Sequence, residues 1–276
     1  MNLSTFANPD IPVIMFWTFV CAAVVIQGIS KSGFGGGAGI LSLPLMMLVM
    51  PVDKVAATML PLLILCDLNA IFIHRHNKNW SAIMSIYLPA VAGIVIGAGV
   101  WWMAGQHGVQ EFEGPIKTFV GIIAILFAIY IVAKEVAMHW VERFKFGKRA
   151  ALVAGVSAGF TSTIAHAAGP IVGLYLFSQN LGKTIFVGSV AWTFTLINLT
   201  KLPFYVGVGL IKTDVLLFDV LLIALIPIGS FTGKWMQGQV SEKVFYRIIA
   251  ALTLLAGLQL VVKVNLVLAL YEMIMA

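Results

Sequence analysis

Charge is what this chain most lacks. Asp, Glu, Lys and Arg together make up 10% of its 276 residues, whereas an ordinary soluble domain carries roughly 25%. So few charges cannot cover a soluble surface, and a soluble globular protein is excluded. Cysteine is nearly missing as well: Cys21 and Cys66 both sit inside apolar stretches without metal-ligand spacing, so the sequence holds neither a disulfide framework nor a zinc site. The glycines never take the G-x-x-x-x-G-K-[ST] order of a phosphate-binding loop, which leaves no means of coupling to ATP within this chain. No basic stretch or A-x-A cleavage pattern precedes the first apolar run, which Asp10 and Pro12 introduce instead. That run is expected to be retained as a span.

What the chain has is apolar length. Hydrophobic residues make up 61%, and the charges are bunched, leaving apolar stretches of about 18 to 25 residues, enough to cross a hydrocarbon layer about 30 Å thick. The segments run from Ile11 to Ile29, Ile40 to Met50, Val55 to Ile73, Ser81 to Ala104 and Pro115 to Ala133. They resume from Ala150 to Phe160, Ile164 to Phe177, Thr184 to Leu199, Val215 to Lys234 and Val244 to Leu270. The expected fold is an all-α polytopic membrane protein: a first transmembrane repeat over 1–134, a cytoplasmic connector over 135–149 and a second, inverted repeat over 150–276. Each repeat holds about five helical segments, and short segments fall at matching places, Ile40 to Met50 in one half and the pieces flanking 161–163 in the other. Such matched short pieces mark broken or re-entrant helices.

Residue matches relate the halves. GISKSGFGGGAGILSLP, from Gly28, lies opposite GVSAGFTSTIAHAAGP, from Gly155; Lys54 and Lys183 follow, and fifteen residues later come Asn69 and Asn198. GIVIGAG from Gly93 resembles GSFTGKW from Gly229. Basic residues concentrate at 134–149 and between His74 and Asn79, while Glu111 and Glu113 make the loop between them acid-rich. The basic loops are therefore expected in the cytoplasm, with both termini outside the cytoplasmic membrane. This parity turns the second repeat upside down, and a substrate site is expected near midplane where the repeats meet. The net charge of +6 then reads as an orientation signal in a lipid bilayer and not as a nucleic-acid surface.

SKSGFGGGAG, from Ser30 to Gly39, carries the chemistry. Glycine lets the backbone leave helical geometry, and non-helical backbone at membrane depth survives only where it is buried in protein or lines a wet cavity. A helix starting near Ala38 would present free N–H groups to an anion, with Ser30, Lys31, Ser32, Gly35, Gly36 and Gly37 around it. The competing reading is a small-residue packing face with Lys31 snorkelling to the surface. It accounts for the spacing of Gly33 and Gly37, but not for three consecutive glycines beside Ser30, Lys31 and Ser32. In the mirrored stretch Thr161, Ser162 and Thr163 are candidate hydroxyl donors, and His166 is a candidate donor or protonation site. Asp67, inside LPLLILCDLNAIF, needs a partner at a cost of about 2.5–3.5 kcal/mol; a coupling proton, a bound cation or Lys31 could supply it. Asn69 and Asn198 accompany it. Trp101, Trp102 and Trp235 read as interfacial anchors, and Asp219 is unexplained.

With this motif opening the first half and a weaker copy opening the second, the chain resembles the TauE/SafE family of permeases over nearly its whole length. That resemblance, and not composition, implies sulfite or a small organosulfonate such as sulfoacetate as the substrate, often for export, with no cofactor. It points to Ser30 through Gly39 and to Thr161 through Gly169, where TSTIAHAAGP stands in place of the more usual glycines. The expected activity is secondary transport by alternating access, coupled to a proton or a cation. An uptake permease for sulfonates or other small organic anions and an anion channel remain alternatives, as does self-association into a homo-oligomer. An enzyme is disfavoured, because His74 and His76 are spaced i, i+2 and do not share a helix face.

Overall fold

The computed structural model describes residues 5–33, 37–74, 76–141 and 146–275, and every regular element among them is helical. The long helices are α1 (Val13–Gly33), α3 (Val52–His74), α4 (Trp80–His107), α5 (Val109–Val141), α8 (Lys183–Gly207) and α11 (Glu242–Val262). Each of these six contains a stretch long and apolar enough to cross a bilayer. A seventh candidate is the pair α9 (Thr213–Ile223) and α10 (Leu225–Gln239), bent by 41°. Pro227 sits just past the bend; its ring presses on the carbonyl four residues earlier and its missing N–H leaves that carbonyl unpaired. Large apolar side chains such as Ile14, Phe72, Leu126, Val220 and Phe231 point outward and are exposed, as a lipid-facing surface requires.

The short helices α2 (Ser42–Met47) and α7 (Gly169–Phe177) are return strokes. α1 stops at Gly33, a 3-10 turn runs over Gly37–Leu41, and α2 comes back until Val49 O accepts from Asn8 N at 3.0 Å, beside the start of α1. In the second half α6 (Lys148–Ala165) stops at His166, and α7 comes back until Gln179 Nε2 donates to Phe146 O at 3.2 Å, beside the start of α6. The second break therefore lies at 166–168 and not at 161–163. The reason is local: Thr161 and Thr163 donate to the carbonyls of Ser157 and Gly159, each at 2.8 Å, and stay helical. His166 then takes a left-handed conformation, φ 46°, and ends the helix.

Two further boundaries differ from expectation. α5 continues to Val141, so helix occupies the first part of the expected connector. The last apolar segment is split where Lys263, also left-handed at φ 60°, ends α11 ahead of α12 (Leu266–Met275).

Packing between the halves is reciprocal. α4 packs along α6 and α1 along α10, and α3 meets α8 as α5 meets α11. Glycine makes the closest approaches. A Cβ on Gly159 would lie 1.9 Å from Ala90 O, and one on Gly93 would lie 2.0 Å from Val156 O. At the other crossing a Cβ on Gly229 would lie 2.5 Å from Val25 O, and one on Gly233 would lie 2.6 Å from Ile29 O. Gly93 and Gly229, matched in sequence, thus serve matching crossings. Asn79 N donates to Ser189 Oγ and Tyr87 bonds Thr200, so α4 and α8 run in the same direction.

Candidate functional site

α1 carries Lys31 in its last turn, where the ammonium forms an ion pair with Asp67 of α3. Asp67 is fully buried, and its second oxygen accepts a hydrogen bond from Asn198 Nδ2 of α8 at 2.6 Å. Both carboxylate oxygens thus have donors, which offsets the cost of burying the charge. Lys31 Nζ also stands 4.5 Å from the centre of the Phe194 ring, whose negative face helps hold the cation.

The second half contributes a different cation. Lys201, in the later part of α8, is completely buried, and its Nζ lies 3.0 Å from Ser162 Oγ, 3.1 Å from Ser162 O and 3.0 Å from His166 Nδ1. His166 Nε2 lies 3.1 Å from the carbonyl of Ala56 on α3. A carbonyl can only accept, so Nε2 carries the proton and Nδ1 accepts from Lys201. The left-handed turn at His166 is what carries its ring from α6 across to α3 and α8. Among the described residues no carboxylate forms a salt bridge with Lys201. Neutral acceptors orient this ammonium without cancelling its charge, and removing an ammonium from water costs several kcal/mol even after relaxation.

Between the two clusters lies a cavity lined by Gln27, Lys31, Ser162, His166, Phe194 and Asn198, with Ile40, Leu63, Ala167 and Gly169 completing the wall. The space open to water centres is about 30 Å³, room for about two or three water molecules. Asp67, turned toward its two donors, is not part of the lining. Ser162 Oγ accepts from Lys201 and keeps its own proton to donate. Cationic groups on both flanks, polar donors and an aromatic wall suit a small anion.

Several expected site residues stand elsewhere. Gly35 and Gly36 lie outside the described residues, as do the side chains of Ser32 and Asn69. Gly37 opens the 3-10 turn, and α2 behind it is six residues long. So short a helix sums too few peptide dipoles to act as the expected anion-binding terminus; the polar groups that line the cavity among the described residues are side chains of Gln27, Lys31, Ser162, His166 and Asn198. Ser30 is buried, its Oγ has no hydrogen-bond partner among the described residues, and it lies outside the lining. Thr161 and Thr163 give their hydroxyl protons to their own helix, so only Ser162 of the three faces the cavity as a donor. His166 has both ring nitrogens engaged, which leaves no free N–H for a substrate. Trp101 is no interfacial anchor: it is buried, and its Nε1 donates to Thr163 O at 3.0 Å. Trp102 and Trp235 are exposed. Asp219 is buried with both oxygens unpartnered among the described residues, away from the cavity lining.

A family model described as Sulfite exporter TauE/SafE matches residues 20–260. The chain belongs to the TauE/SafE family. It is thus a multi-pass membrane transporter of a family named for sulfite export and not for an enzymatic reaction. Comparison with curated proteins and with solved structures gave no significant match. For this TauE/SafE chain, sequence reasoning passed over Lys201, Phe194 and Gln27. Lys201 in INLTKLPF looks like the end of a span, because Pro203 follows it closely. The available signal was the apolar run beyond it, Leu202 to Val208, which keeps α8 going past the proline.

Proposed function

We propose that the protein is a secondary carrier that exports a small sulfur oxyanion, sulfite or a two- or three-carbon organosulfonate, across the cytoplasmic membrane. It works by alternating access of two inverted halves. The observation that carries this reading is Lys201: a wholly buried cation with no salt bridge to a carboxylate among the described residues, reaching the cavity through Ser162 and His166. An anion in that cavity supplies the missing counter-charge. The reciprocal pairing of α1 with α10 and α6 with α4 supports two halves rocking about a shared centre, as in carriers built from inverted repeats. The choice of a sulfur oxyanion and of export rests on family membership.

The test is flux in proteoliposomes of the purified protein, with sulfite, sulfate, sulfoacetate, taurine and acetate compared as substrates. A carrier gives saturable flux and counterflow stimulated by substrate on the far side. Currents that do not saturate, with no trans-stimulation, would make it a channel. Preference for acetate over every sulfur anion would remove the substrate assignment.

A further inference from the structure

We infer that Lys201 and His166 form a single protonating unit that carries one proton with each anion, so that the substrate is transported as a monoanion. This rests on the carrier reading above. Lys201 Nζ and His166 Nδ1 are 3.0 Å apart, and one proton lies between them. Either the ammonium donates to a bare Nδ1, or an Nδ1–H donates to a neutral amine; two N–H groups cannot face each other there. With Nε2–H committed to Ala56 O, the unit is charged +1 or neutral, never +2.

The charged groups that act on this unit from its neighbours are Lys31 on α1 and Asp67 on α3, and these cancel as an ion pair. The other titratable side chains packed around it are Tyr205 on α8, its ring 6.2 Å from that of His166, and Cys66, next to Asp67 on α3. The site therefore has charge +1 or zero. With the proton and a monoanion it is neutral; with neither it is neutral again. The proton alone or the anion alone leaves a net charge, which is costly in a low-dielectric interior. Only the two neutral forms reorient readily, which makes transport an electroneutral proton–anion symport.

In this cycle the proton moves between water and the Lys201–His166 unit and no covalent bond changes. Hydrogen sulfite and single sulfonates fit; sulfoacetate, with two negative charges, would need a second proton. Net export is then driven by the anion's own outward gradient, and the proton leaves with it.

The experiment uses full-length protein in proteoliposomes with 2-hydroxyethanesulfonate, a permanent monoanion, at a membrane potential clamped to zero. A trapped pH dye reports protons and labelled sulfonate reports flux. Symport predicts proton entry with anion entry and accumulation of about tenfold per unit of imposed pH difference, since each unit is worth about 1.4 kcal/mol. Lys201→Arg keeps the charge but cannot release the proton. Net pH-driven flux should be lost in it, while the wild type shows both net flux and counterflow, in which the loaded form shuttles. His166→Gln should flatten the flux profile from about pH 5 to 8. Net anion entry in the wild type without proton entry, or net pH-driven flux persisting in Lys201→Arg, overturns the inference and leaves the carrier reading intact. Absence of counterflow for every sulfonate overturns the carrier reading itself. Because wild type alone decides the proton question, misfolding of either variant does not protect the idea.

Discussion

The two copies of the motif line one cavity and do so with opposite electrostatics. In the first half the cation lies within the motif, Lys31, and is neutralised by Asp67. In the second half the motif has no cation of its own and borrows Lys201 from α8, with no carboxylate to meet it. At the offset that sets Lys54 opposite Lys183, Asp67 corresponds to Leu196 and Lys201 to Phe72, which is exposed on the outer face. Two segments that match in sequence can therefore carry an asymmetric charge distribution. On the proposed reading, the paired half supplies structure and the unpaired half supplies the demand for an anion.

The largest expected effect breaks the paired half. Asp67→Leu leaves Lys31 buried without its partner and should cost about 3–5 kcal/mol, read as thermal stability in detergent. Adding Lys31→Met should restore most of that stability while sulfite binding stays weak. If the double variant bound normally, Lys31 would have no part in the site. Next comes the unpaired half: Lys201→Met should weaken anion binding by about 10- to 100-fold, because the anion loses a counter-charge a few ångströms away in a low-dielectric site. Its stability loss should stay below that of Asp67→Leu, because the acceptors it leaves behind, on Ser162 and His166, are neutral. A large stability loss with unaltered binding would make Lys201 structural.

Smaller effects sharpen the comparison at the helix crossings. Gly159→Ala drives a Cβ into Ala90 O, and Gly229→Ala drives one into Val25 O, with the tighter contact at Gly159. Overpacking should cost about 1–3 kcal/mol at Gly159 and less at Gly229, measured by thermal unfolding of both variants; equal losses would contradict the geometry. The smallest change is expected from Thr161→Val, whose hydroxyl proton goes to its own helix. Sulfite affinity should stay within about threefold, under about 1 kcal/mol. A tenfold loss would return Thr161 to the site.

Much of the fold was legible because the bilayer is a strict solvent: apolar length and sparse charge leave helices as the way to satisfy the backbone. The seam between the halves was legible too, since Gly28 and Gly229, matched to Gly155 and Gly93, meet backbone at the crossings. Asp67 and Asn198 were identifiable as polar groups in apolar runs. The ends of helices were less legible. Lys31 and Lys201 lie inside helices that hydropathy would stop before them, because a charge buried by tertiary partners reads in sequence like a charge at a membrane surface. The hydroxyls of Thr161 and Thr163 misled for a related reason: composition counts donors, but only geometry tells which are already used.

The sequence by itself determined that this chain is a helical membrane protein, because hydrophobic length and the cost of unsatisfied backbone act locally and leave few solutions. Tertiary structure alone decided which charges cancel and which do not. Lys31 meets Asp67 across 36 positions of chain and Lys201 meets His166 across 35. Electrostatic energy depends on such distances in space, which spacing along the chain does not encode.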